Sequence, residues 1–190
     1  MIIIVDNYDS FTYNLFQYVK EYYRDVKVIK NDDENLLNLD LSVLKALILS
    51  PGPGKSSESG LMPKIIKKYY SKVPILGICL GHQAIIENFG GSITNADDIC
   101  HGKVHDMKHF SNCILFDDIS HHFSATRYHS LVSKKAIPDC LEITAVTKNF
   151  NEIMGIQHKE YQIFGLQFHP ESIETKDGIK MIENFINVIK

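Results

Sequence analysis

The run Pro74-Ile75-Leu76-Gly77-Ile78-Cys79-Leu80-Gly81-His82-Gln83 constrains this chain more than any other segment. An apolar stretch of strand length enters a Gly-x-Cys-x-Gly turn, and a helical pattern over 82–89 follows at once, closed by Gly90-Gly91. A turn this sharp strains the backbone at its central residue and leaves no room for side chains on either side. Glycines at 77 and 81 meet that demand. The pattern is that of a nucleophile elbow with cysteine in place of serine. A helix starting beside Cys79 brings free amides and positive dipole potential to the sulfur, which favour a thiolate and can hold a developing oxyanion. A buried structural cysteine is the plainer alternative.

The rest of the first half repeats this strand–helix alternation. Ile2-Ile3-Ile4-Val5 has strand length and β-branching. Phe11, Leu15, Val19 and Tyr22 then recur at helical spacing, with Asp9 or Ser10 placed as a cap. Strands are expected at 26–29, at 46–49 and at 73–78, and a helix at 61–70. Repeated units of this kind build a parallel sheet covered on both faces. The second half is richer in β-type stretches: 113–116, 141–147, 153–157 and 162–168, the last two as a hairpin. A final amphipathic helix carries Ile179, Ile182, Phe185, Ile186 and Ile189 on one face. The expectation is one α/β domain over 1–190, with a mainly parallel central sheet flanked by helices and a small β-rich insertion.

Composition narrows the function classes. The 190 residues suffice for one real core, and the net charge of −3 gives no support to nucleic-acid binding. No apolar run has the length needed to cross a bilayer, and the start MIIIVDNYDS lacks the basic segment of a signal peptide. Cys79, Cys100, Cys113 and Cys140 are scattered, without a CxxC pair or metal-ligand spacing, so reduced thiols in a cytoplasmic protein are expected. Neither metal nor other cofactor is implied.

Two further segments complete a chemical reading. In Gly165-Leu166-Gln167-Phe168-His169-Pro170-Glu171-Ser172, His169 and Glu171 project to the same side of an extended chain, so the carboxylate can orient the imidazole. Alone, His-Pro-Glu reads as a solvated loop; with an elbow cysteine elsewhere it supplies base and orienter. Ser50-Pro51-Gly52-Pro53-Gly54 follows the third strand, at the end where open parallel sheets bind ligands. It reads either as a plain turn or as a pocket wall exposing glycine amides.

Together, Gly77-Ile-Cys-Leu-Gly-His-Gln83, His169-Pro-Glu171 and the Pro-Gly-Pro-Gly loop resemble class I (triad-type) glutamine amidotransferases. Asn7-Tyr-Asp-Ser-Phe-Thr-Tyr-Asn14, His101-Gly-Lys103, Arg127-Tyr-His-Ser-Leu131 and Glu152-Ile-Met-Gly-Ile156 resemble the small subunit of anthranilate synthase and of aminodeoxychorismate synthase. The likeness runs from residue 2 almost to the C-terminus.

The resemblance implies a flavodoxin-like or Rossmann-like layered fold and a glutaminase that feeds ammonia to a chorismate-using synthase subunit. Its triad falls on Cys79, His169 and Glu171, and its oxyanion hole on backbone amides near Gly54 and Leu80. Its glutamine contacts fall on Gly52, Pro53, Gly54, Gln83, Ser130 and Leu131. Asn7, Tyr8, Asp9 and Ser10, with His101, Gly102 and Lys103, would face the synthase subunit, helping it to switch on the glutaminase. Both pathways, anthranilate and aminodeoxychorismate, stay open. Two positions depart from the family's habit: Lys55-Ser56 stands where Thr-Pro is common, and Val104-His105 where Thr-Ser is common. The elbow by itself also permits a thiol esterase or peptidase of α/β-hydrolase type. Against it, that fold places its acid before its histidine, and here Glu171 follows His169.

Overall fold

The computed structural model describes residues 1–96, 102–110, 113–133 and 137–189. Its centre is a nine-stranded sheet, and the strands follow from the sequence in chain order. They are β1 (Ile2–Asp6), β2 (Val26–Lys30), β3 (Ala46–Leu49), β4 (Ile75–Ile78), β6 (Lys103–His109), β7 (His122–Arg127), β9 (Leu141–Thr147), β10 (Ile153–His158) and β11 (Ile163–Leu166). A two-stranded ribbon pairs β5 (Thr94–Asn95) with β8 (Leu131–Val132). The spatial order is β2-β1-β3-β4-β11-β10-β9-β6-β7. From β2 to β11 neighbouring strands are parallel; from β11 onward every pairing is antiparallel.

Among the described residues, four α-helices cover the parallel half: α1 (Thr12–Tyr22), α2 (Met62–Tyr69), α3 (Leu80–Asn88) and α4 (Gly178–Asn187). Strand alternation divides their partners. Ile2, Ile4, Ile48, Leu76 and Ile78 meet α1 and α4, while Ile3, Val5, Leu47, Leu49 and Ile75 meet α2 and α3. The two layers also explain how α1 holds without a side-chain cap. The Asp9 carboxylate accepts from the Phe11 amide at 2.8 Å, one residue ahead of the helix. An N-cap is worth only about 1 kcal/mol. Full burial of Leu15 and Val19 contributes roughly 1.5–3 kcal/mol each, so packing decides.

Several expectations shift. The 113–116 stretch is a 3₁₀ turn over Ile114–Phe116, not a strand, because Asn184 on α4 donates to the carbonyls of Leu115 and Asp117 and fixes it as a helical turn. The β-rich part, expected as a small insertion, continues the same sheet as its antiparallel wing. Helix α3 starts at Leu80 rather than His82, which makes Cys79 itself the cap residue.

Every parallel strand sends its carboxyl end to the same edge of the sheet, and Asn31 after β2 donates to Asn7 there. Asn7 follows β1, Ser50 to Gly54 follow β3, Cys79 follows β4 and Gln167 to Glu171 follow β11. That is the end where open α/β sheets build sites.

Candidate active site

Cys79 stands between β4 and α3 with φ 50° and ψ −99°, a conformation that costs a side-chain-bearing residue of order 1–3 kcal/mol. Its surroundings enforce it. The Cys79 amide donates to Leu166 O on β11 at 2.8 Å, fixing the turn to the neighbouring strand. A Cβ on Gly77 would lie 2.5 Å from the Gly81 carbonyl oxygen, and a Cβ on Gly81 would lie 2.5 Å from the Leu49 carbonyl oxygen. Helix, elbow and β3 therefore close on one another only through glycine.

Beyond β11 the chain bends at Gln167 and Phe168; Phe168 is fully buried in the core, while Gln167 and His169 both lie beside Cys79. The His169 amide donates to Thr126 O at 3.0 Å, and Thr175 Oγ1 donates to His169 O at 2.8 Å, so the turn is tied to β7. His169 Nδ1 lies 2.7 Å from Glu171 Oε1, and both residues are buried. Phe11 and Tyr128 pack edge-on against the imidazole, with ring centroids 5.8 and 5.0 Å away.

Burial works against a charge on His169, but the Glu171 carboxylate and the adjacent Cys79 sulfur outweigh it and hold the imidazole pKa well above the ordinary histidine value. His169 Nε2 is buried and makes no hydrogen bond of strict geometry among the described residues; the Cys79 sulfur beside it raises the imidazole pKa first as a weak hydrogen-bond partner and then through its charge. A buried donor in that state is poised for a partner that arrives with substrate.

The 52–54 loop, Cys79, Leu80 and Gln83 line a cavity of ≈ 150 Å³ together with Tyr128, His129, Ser130 and Leu131. Every glutamine-contact position expected from the sequence therefore borders the same space. Gly54 takes φ +77°, which suits glycine. Leu80 opens α3, where amides have no carbonyl one turn earlier to receive them. Beneath the loop, Asn7 is buried: its amide donates to Ser50 Oγ, its Nδ2 to Ser50 O, and its Oδ1 accepts from Asn31. Asn7 thus supports the loop from inside instead of facing outward with Tyr8, which is 56% exposed. Gly102 packs against Tyr128, Lys103 begins β6 at the surface, and Asp9 and Ser10 sit on the turn before α1. His101 lies outside the described residues.

Three residues that lie within the quoted motifs, but were given no role there, also border the site. Gln167 Nε2 donates to Cys79 Sγ at 3.7 Å. Tyr128 and His129 line the cavity, and buried His129 is pushed down to about 3 by burial and by the Arg127 charge beside it. Gln167 was findable: it is a polar residue in an otherwise apolar run, two positions before His169.

The chain matches the family model for glutamine amidotransferase class-I over residues 3–188. It is 49% identical to anthranilate synthase component 2 of Lactococcus lactis, over 100% of this chain and 95% of that one. It is 43% identical to the aminodeoxychorismate/anthranilate synthase component 2 of Bacillus subtilis, over 100% of this chain and 97% of that one. The crystal structure of a Thermoplasma acidophilum protein assigned to GMP synthase superimposes with a TM-score of 0.87 at 28% identity, covering 99% of this chain and 92% of that one. The family match and the relatives set aside the thiol esterase or peptidase alternative, which the elbow alone permits. With model and relatives spanning nearly its whole length, this chain belongs to the class-I glutamine amidotransferase family.

Proposed function

We propose that this chain hydrolyses glutamine through a thioester on Cys79 and passes the ammonia to a chorismate-using synthase subunit. The observation that carries the reading is the strained Cys79 elbow opening into a small cavity, with the buried His169–Glu171 pair beside it. A cavity of ≈ 150 Å³ suits one amino acid and lies below the roughly 300–1,000 Å³ typical of larger ligands.

The chemistry runs in two halves. Cys79 sulfur attacks the γ-carboxamide carbon, and the oxyanion forms against the amides of Gly54 and Leu80. His169 gives the Nε2 proton to the nitrogen as the C–N bond breaks, because expelling an amide anion would be prohibitive. Ammonia leaves and a γ-glutamyl thioester remains. Neutral His169 then takes a proton from water as its oxygen attacks the thioester carbon; glutamate departs and the sulfur is restored. Glu171 holds the ring in one orientation through both halves. Gln83, whose Nε2 is engaged by Leu131 O and Gln167 Oε1, keeps its carbonyl oxygen for the substrate.

Support for the partner comes from the component 2 relatives and from the surface near the site. Tyr8, 56% exposed, follows β1, and Ile173, 87% exposed, follows the His169–Glu171 turn, so both are open to a contact between subunits. Ammonia released into bulk water would be captured as ammonium, so a docked partner gives it a protected path. Co-purification with candidate chorismate-binding subunits, followed by identification of the aromatic product, tests the reading. A sharp rise in glutaminase turnover with one partner is expected; unchanged turnover with every such partner removes the synthase assignment.

A further inference from the structure

A buried chain of hydrogen bonds ends on the Cys79 sulfur, and its direction is fixed from the far end. Arg127 has no exposed surface and can only donate. Its Nη2 donates to Glu152 Oε2 at 2.5 Å and its Nε to His129 Nε2 at 3.0 Å. With Nε2 accepting, His129 carries its proton on Nδ1, which donates to Leu131 O at 3.0 Å. That carbonyl can only accept, so the Gln83 atom 2.9 Å from it must be the amide nitrogen. The same nitrogen donates to Gln167 at 3.1 Å, which must then offer Oε1. Gln167 is left with Nε2 toward Cys79, 3.7 Å from Sγ. Side-chain amides are ambiguous in isolation; here two acceptor-only or donor-only groups remove the ambiguity.

We propose that Gln167 is a further functional side chain of the thiol site: its carboxamide, locked by Gln83 and the Leu131 carbonyl, presents an N–H to Cys79 sulfur and stabilises the negative charge there. The inference rests on the reading of Cys79 as the nucleophile. Gln167 has no exposed surface, so no water competes for that donor. A hydrogen bond to an ionised acceptor in such a site is stronger than one between neutral groups. The chain also joins the loop bearing Ser130 and Leu131 to the nucleophile. Displacing that loop would loosen Gln83 and free Gln167 to rotate its oxygen toward the sulfur.

The test is the pH dependence of Cys79 alkylation by iodoacetamide, read on the Cys79 peptide by mass spectrometry. It is measured for the parent chain, Gln167→Met and Gln167→Glu. Methionine keeps the length and removes the N–H; glutamate puts a negative group against the sulfur. The midpoint is expected to rise by about one pH unit in Gln167→Met and further in Gln167→Glu. Glutaminase kcat in the complex with the synthase subunit should fall about tenfold in Gln167→Met. A Gln167→Met profile that coincides with the parent's overturns the proposal. If the Gln167 variants do not fold, Gln83→Met decides, because it removes the lock and leaves Gln167 in place. An upward midpoint is expected there too, and no movement overturns the idea. Failure of the parent to take a diazoketone analogue of glutamine on Cys79 would instead sink the nucleophile reading, which the alkylation profile does not test.

Discussion

Arg127 and Glu152, 25 positions apart, form a buried ion pair in which Nη2 lies 2.5 Å from Oε2, and through His129 this pair holds the Leu131 carbonyl at the cavity wall. Replacing Arg127 by Met leaves the Glu152 charge buried alone, so a loss of about 3–5 kcal/mol in urea unfolding is expected. The double substitution Arg127→Met with Glu152→Leu should recover much of it, because two apolar groups need no compensation. A double variant as unstable as the single one would show that the pair's charge is not what matters. Activity should stay low in the double variant, since His129 has lost the group that fixes its tautomer.

Glu171 acts on the reaction only through His169. Glu171→Gln keeps the shape but removes the charge that holds the imidazole pKa up. Glutaminase turnover should drop by roughly 10²–10⁴-fold with the fold kept, at a cost in melting temperature because buried His169 loses its charge partner. The His169 titration, followed by NMR, should move downward in the variant. A titration that stays in place would mean that Glu171 is not the dominant charge at the ring.

Acid should weaken the fold through two histidines kept neutral by burial. His82 is lowered to about 4 and His129 to about 3. Unfolded, both would titrate near the ordinary value of about 6.5 and so bind protons that the native chain refuses. Stability is thus full above about pH 6.5 and falls as the pH drops toward about 4, with a slope approaching about 2.7 kcal/mol per pH unit when both take part. His169 runs the other way: its raised value gives stability that is present below about pH 6.5 and lost as the pH climbs through its folded value. Urea midpoints across that acid window check the account, and a flat line there contradicts it.

The elbow has its own mechanical test. Gly81→Ala would press a methyl group to within 2.5 Å of the Leu49 carbonyl oxygen, a backbone atom that cannot swing aside. A cost of about 1–3 kcal/mol is expected, with loss of Cys79 labelling well below the unfolding temperature, because the strain falls on the turn that aims the sulfur. Normal labelling in a fully folded Gly81→Ala chain would show that the turn tolerates a side chain.

Much of this was legible in the residues. Ile2 to Val5, the Pro-Gly loop and the elbow declare a parallel α/β sheet because buried strands and tight turns restrict residue type strongly. Cys79, His169 and Glu171 are readable for the same reason: one needs glycine neighbours, and the others need a spacing of two. What stayed hidden depends on distant partners. Strand β6 has charged or exposed residues at Lys103, Val104 and Asp106, and only Met107 and His109 enter the core, so it lacks the apolar alternation of a strand. The 3₁₀ turn at Ile114–Phe116 looks like a strand until Asn184 is known to grip its carbonyls. Arg127-Tyr-His-Ser-Leu131 and Glu152-Ile-Met-Gly-Ile156 stand out as separate likenesses, and nothing in either run announces that they share an ion pair.

The most direct measurement is covalent trapping of the purified chain, with its synthase subunit, by a diazoketone analogue of glutamine, with the labelled peptide located by mass spectrometry. The account predicts one adduct, on Cys79, suppressed by glutamine and absent in Cys79→Ala, while that variant still supports synthesis from ammonium salts. Labelling elsewhere, or glutamine-dependent synthesis that survives the loss of Cys79, would contradict it.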